Sequence, residues 1–247
     1  LGGLLKKENY TLHHNLLFWM TLICLVLVAL LGAKGYRFDL TKRRDAIGIF
    51  DSMVYDSVIW IILLSAVFSV ILGSEFANKT IDHEIFAGYS RTFVYFSKFL
   101  LYDTTFCLLL LIYPLTGFLR MLGPLGLSDN LSMTLGLDLI GLTAVFIQYS
   151  VMFSQVLLVV VLSGDLLRST AVNGMLALTC GLAAAYGEPS GWYNKFRLLK
   201  LLPMQQVRDI VSKGNPTSFG MSLLSGLGMI TVMNGLAFLI FRKKNLK

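Results

Sequence analysis

Charge is scarce in this sequence. Asp, Glu, Lys and Arg make up 14% of its 247 residues, where a soluble globular chain carries about 25%. That deficit excludes an ordinary soluble domain. Cysteine and histidine number three each. Cys24, Cys107 and Cys180 sit singly in apolar stretches, with no C-x-x-C pair and no cluster with His13, His14 or His83. They read as buried small side chains, and no disulfide framework or metal centre is expected. His13 and His14, being adjacent, point in different directions on a helix. No G-x-x-x-x-G-K-[ST] phosphate loop occurs, and GSEFANKT from Gly73 lacks the second glycine, so the chain has no such motif with which to split ATP. An intramembrane protease needs paired deep carboxylates, H-E-x-x-H or a Ser–His pair at depth, and none is present. The alternation of a membrane β-barrel is missing too.

What is present is apolar sequence, 55% of residues, gathered in blocks of the ~20 residues that cross a bilayer. This predicts an all-α polytopic membrane protein forming one transmembrane domain over 1–247. Its six spans fall at about 16–32, 53–73, 99–119, 139–162, 170–186 and 221–241. The first is read as a retained span, since no small-x-small cleavage site follows Leu31. Residues 1–15 predict an interfacial helix with Leu4, Leu5 and Leu12 on lipid and Lys6, Lys7 and Glu8 in water. The net charge of +7 comes mostly from span ends and loops, where basic groups meet lipid headgroups rather than nucleic acid.

A few polar groups interrupt the spans. Asp56 lies in the first turns of the second span, at headgroup level or facing a polar cavity. Asp103 makes the entrance of the third span polar, and Pro114 predicts a kink near its far end. Gln148 and Gln155, seven apart, share a face of the fourth span and need partners there, in a neighbouring helix or along a passage. Ala177, Gly181 and Ala185 recur every four residues, a smooth face for close helix contact within the chain or between two copies. The stretch 187–219 mixes Trp192, Tyr193 and Phe196 with Lys195, Arg197, Lys200 and Arg208, and predicts an interfacial segment broken by Pro203. Six spans put both termini on one side. Lys and Arg nearly balance across the two sides, so charge alone does not choose it.

The longest polar interruption between two closely spaced apolar blocks is 74–98. Thr80 stands where an N-cap would stand, Asp82 and Glu84 follow where the helix dipole favours acids, and Ile81 and Ile85 share a face. Gly88 offers a stop, and Ser90 can cap the helix beyond. A short helix across the end of the bundle, contacting a soluble partner, fits this chemistry. An ordinary solvated connection explains the same caps.

This stretch resembles the second-to-third span region of type-2 ABC transporter permeases, the small six-span bacterial kind. The matching residues are Glu75–Phe76, Lys79–Thr80–Ile81, Gly88, Ser90–Arg91, Tyr95 and Ser97–Lys98. Beyond them the likeness is architectural. The resemblance implies that 80–88 is a coupling helix docking into a cytoplasmic ATPase through Glu75, Phe76, Thr80, Ile81, Glu84, Ile85, Gly88 and Arg91. It implies cytoplasmic termini, a bacterial cytoplasmic membrane, and a second permease copy or a related permease with first and fifth spans near the interface. It places the helices around 192–211 over the outer side. No cofactor belongs to the chain itself, ATP being bound by the partner. Export of amphipathic peptides, as in lantibiotic or bacitracin self-protection, is the implied activity. The competing expectation is a stand-alone secondary transporter or channel using Asp56, Asp103 and Gln148.

Overall fold

The computed structural model describes residues 2–38, 45–127, 131–186, 197–213 and 216–243. Every regular element among them is helical. In chain order they are α1 (Gly2–His13), α2 (Leu16–Gly32), a 3-10 turn (Gly35–Phe38), α3 (Ala46–Ala77), α4 (Thr80–Phe86), α5 (Arg91–Leu125), α6 (Leu131–Ser163), α7 (Leu166–Tyr186), a second 3-10 turn (Arg197–Leu201), α8 (Pro203–Lys213) and α9 (Pro216–Lys243). Helices α3, α5, α6, α7 and α9 are long and apolar enough to cross a membrane. A sixth passes that test only if α1 and α2, which meet at 66°, count as one bent span.

Local chemistry sets the helix ends. Asp45 caps α3 by accepting from the Gly48 N–H at 2.7 Å, and Ser90 caps α5 by accepting from Phe93 at 3.3 Å. Gly126, at φ 70°, closes α5. Pro114 lies inside α5, which continues past it to Leu125. Apolar side chains stand outward along the bundle, among them Trp19, Ile23 and Leu31 on α2 and Leu224, Leu227 and Val232 on α9. An outer surface this apolar suits lipid.

A close seam runs between α3 and α7, which lie antiparallel. Ser69 Oγ accepts from Asn173 Nδ2 at 3.0 Å. A Cβ on Gly73 would fall 2.9 Å from Ser169 Oγ, and one on Gly181 would fall 2.7 Å from Ile62 Cδ1. Small side chains let the backbones approach until a single added carbon collides. The four-residue spacing left open a contact within the chain or between copies, and part of this face is used within the chain. Ala177 and Gly181 are buried inside the chain, and only Ala185 of the three is exposed. They lie on the stripe Ser169–Asn173–Ala177–Gly181, buried at four-residue intervals.

Candidate functional site: a buried charge cluster around α4

The stretch 74–98 folds as expected in outline. α3 ends, the seven-residue α4 crosses, and α5 begins. Gly88 takes φ 91° just past α4, a conformation that glycine adopts without strain. The expected N-cap is corrected: Thr80 is the first helical residue, and the capping position belongs to Lys79, which makes no side-chain cap. Lys79 is left-handed at φ 55°. The chain turns so sharply out of α3 that the corner, rather than a hydroxyl, sets where α4 starts.

Charged side chains from four helices converge behind α4. Lys98 Nζ of α5 donates to Glu8 Oε1 of α1 at 2.6 Å, to Glu75 Oε2 of α3 at 2.6 Å and to Glu84 Oε1 of α4 at 3.4 Å. Lys7 also binds Glu84 Oε1. The Tyr102 hydroxyl, one turn along α5, donates to Glu75 Oε1 at 2.5 Å and to Glu8 Oε2 at 3.3 Å. Glu8, Glu75, Glu84, Lys98 and Tyr102 are all buried, and Lys7 alone keeps substantial exposure. Beneath them lies an aromatic layer in which Phe68 meets Tyr102, Phe106 and Phe153 edge-on.

Such a cluster is a structural lock. Each buried ion is costly alone, and removing one partner strands the rest. The glutamates respond differently. Burial, then repulsion from Glu75, raises Glu8 to about 7 against the pull of Lys98. For Glu84 burial also opposes the charge, but Lys98 and Lys7 outweigh it and hold the carboxyl below its ordinary range.

The predicted partner-contact residues therefore divide into two groups. Glu75, Ile81 and Glu84 face inward, Ile85 is half-buried against the core, and Phe76 packs edge-on against Phe241. Arg91 donates to the Arg242 carbonyl at 2.8 Å, tying the start of α5 to the end of α9. The outward surface is formed instead by Lys79, His83, Phe86, Gly88 and Tyr89, with half-buried Thr80 at its edge. Phe86 is 81% exposed. Sequence reasoning missed Phe86, and it placed Glu8 in water. The signal for Glu8 was the spacing Leu4–Glu8–Leu12, all three of which are buried. Leu4 and Leu12 pack into the protein core, not onto lipid.

The predicted pathway residues are not brought together. Asp56 lies near the Tyr36 hydroxyl, which meets that of Tyr113 at 3.1 Å. Asp103 is ten residues from Tyr113 along α5, about 15 Å at 1.5 Å per residue. It accepts from Ser150 Oγ at 3.0 Å, and its Oδ1 is buried with no donor among the described residues. Gln148 Nε2 donates to the Ser222 carbonyl of α9 at 2.7 Å, the helix-to-helix use of such a group. Gln155 is half-buried on the same helix. Residues 192–196 lie outside the described residues, but α8 beyond them turns Met204, Val207 and Ile210 inward, and Arg208 stacks over Tyr55 at 4.8 Å and donates to the Ala184 carbonyl. Among the described residues no group of His, Cys, Asp and Glu could hold a metal ion.

No protein-family description, no curated protein and no solved structure matches this chain.

Proposed function

We propose that this chain is the transmembrane subunit of an ATP-driven exporter resembling type-2 ABC permeases, working with a separate cytoplasmic ATPase and a second permease copy or related permease. In this reading α2 is the first of six spans, and α4 is the coupling helix on the cytoplasmic side of a bacterial membrane. Amphipathic peptides or other hydrophobic compounds are the cargo. One observation carries the reading. A short helix between two spans is anchored on its inner face by Ile81 and Glu84 and presents Phe86 to the outside. An exposed aromatic on a rigidly held helix is a fitting anchor for a pocket on a partner. Closure of the ATPase would push α4, and the lock would pass that push to α3 and α5 as rigid-body motion.

The test is affinity purification of the full chain from its own cell membranes, scored for a stoichiometric ATPase. Its presence, and its loss on Phe86→Asp, is the expected result. A partnerless protein that still moves a solute overturns the reading. That outcome would favour the stand-alone transporter using Asp56 and Asp103, supported by Asp103 Oδ1, which has no donor among the described residues.

A further inference from the structure

The charge cluster is unbalanced. Glu8, Glu75 and Glu84 bring three carboxylates against the two ammonium groups of Lys7 and Lys98. Fully ionised, it holds one negative charge more than the described residues pair, in a place from which all but Lys7 is shielded from water. Two carboxylates that crowd one site do not both stay ionised at ordinary cost. Glu8 Oε1 at 2.6 Å and Glu84 Oε1 at 3.4 Å share the single ammonium of Lys98, so the two carboxyls crowd one cation. Glu84 Oε2 is buried with no donor among the described residues. One proton on Glu8 balances the charge.

The cluster also joins pieces distant in sequence. α3, α4 and α5 are consecutive and packed together, whereas α1 reaches them from the start of the chain. It holds on through Leu4, Glu8, Leu12 and the outer Lys7. We propose that α1 is a proton-held clasp, docked over Glu75, Glu84 and Lys98 while Glu8 is protonated and loosened when Glu8 ionises. This goes beyond the transport reading and does not depend on it. The groups facing Glu8 are Glu75 from α3, Glu84 from α4, Lys98 and Tyr102 from α5, and Lys7 beside it on α1. The raised pKa of Glu8, about 7, puts the transition near neutrality. The docked form binds the proton more tightly than the undocked form, so its advantage is complete below the ordinary value of 4.5 and disappears as pH rises through about 7.

The experiment uses the full chain in lipid nanodiscs, with Cys24, Cys107 and Cys180 replaced by serine. Spin labels are carried by Thr11→Cys on α1 and Thr92→Cys on α5, both exposed positions. A narrow inter-label distance at about pH 5 that broadens by about pH 9 is expected. Glu8→Gln, neutral and of the same shape, keeps the narrow distance throughout. A wild type with no transition overturns the proposal, and so does a Glu8→Gln variant that keeps the wild-type transition. Should Glu8→Gln fail to fold, amide exchange on the wild type decides. Protection of α1, corrected for intrinsic exchange, falls on the order of tenfold relative to α5 over that range, and equal protection at both ends refutes the clasp.

Discussion

Lys98 and Glu8 are separated by 90 positions in the chain and by 2.6 Å in space. Their contact ties the first helix to the start of α5. The aromatic layer of Phe68, Tyr102, Phe106 and Phe153 supports it from below.

Lys98→Met removes the cation that three carboxylates share. The expected loss is about 3–5 kcal/mol, the range for breaking a buried ion pair from one side. Thermal unfolding in detergent measures it. Lys98→Met combined with Glu8→Gln and Glu75→Gln recovers part of the loss, because fewer unpaired charges remain.

Phe86→Ala tests the outward face. The side chain is 81% exposed, so stability stays within about 0.5 kcal/mol of wild type, while on the proposed exporter reading capture of an ATPase falls. Ile81→Ala, at a buried position of the same helix, costs about 2–5 kcal/mol. Thermal melts and ATPase capture, run on both variants, separate partner contact from folding.

Gly181→Leu collides with Ile62 across the α3–α7 seam and costs about 1–3 kcal/mol. Gly174→Leu, two turns earlier with nothing within 4 Å of an added Cβ, is tolerated. The melting temperatures of the two variants check the seam directly. If Gly181 served a contact between copies, its substitution would instead change the oligomeric state and leave the melt unmoved.

Acid acts on the cluster through Glu84. Its carboxyl is held below the ordinary range by Lys98 and Lys7 against the cost of burial. Its contribution is therefore present above the ordinary carboxylate value and is lost as pH falls through the lowered one. Glu8 works in the opposite sense, so α1 docks best in weak acid and loosens on both sides. A melt followed from strong acid to alkali is expected to peak there.

Much of the bundle was legible from apolar runs alone. Residues 16–32 coincide with α2, and the other five predicted spans lie inside longer helices. The extra length is physical: α3 has 32 residues, about 48 Å at 1.5 Å per residue, against a hydrocarbon core of about 30 Å. Polar end turns such as those holding Glu75 and Lys98 extend the helices without raising hydropathy. Glu8 could not be placed from its neighbours, because Lys6 and Lys7 make it look solvated and its partner is Lys98. Ala177 and Gly181 were found by spacing, but spacing does not say which helix they meet. Thr80 looked like a cap because the left-handed corner at Lys79 has no sequence signature.

That corner has a mechanical meaning. A lysine at φ 55° costs roughly 1 kcal/mol that a glycine would not incur, so the chain does not favour the bend by itself. The contacts behind α4 keep it folded. The α3–α4 junction thus resembles a sprung catch, a locally costly corner held by the anchoring of Ile81 and Glu84 behind it.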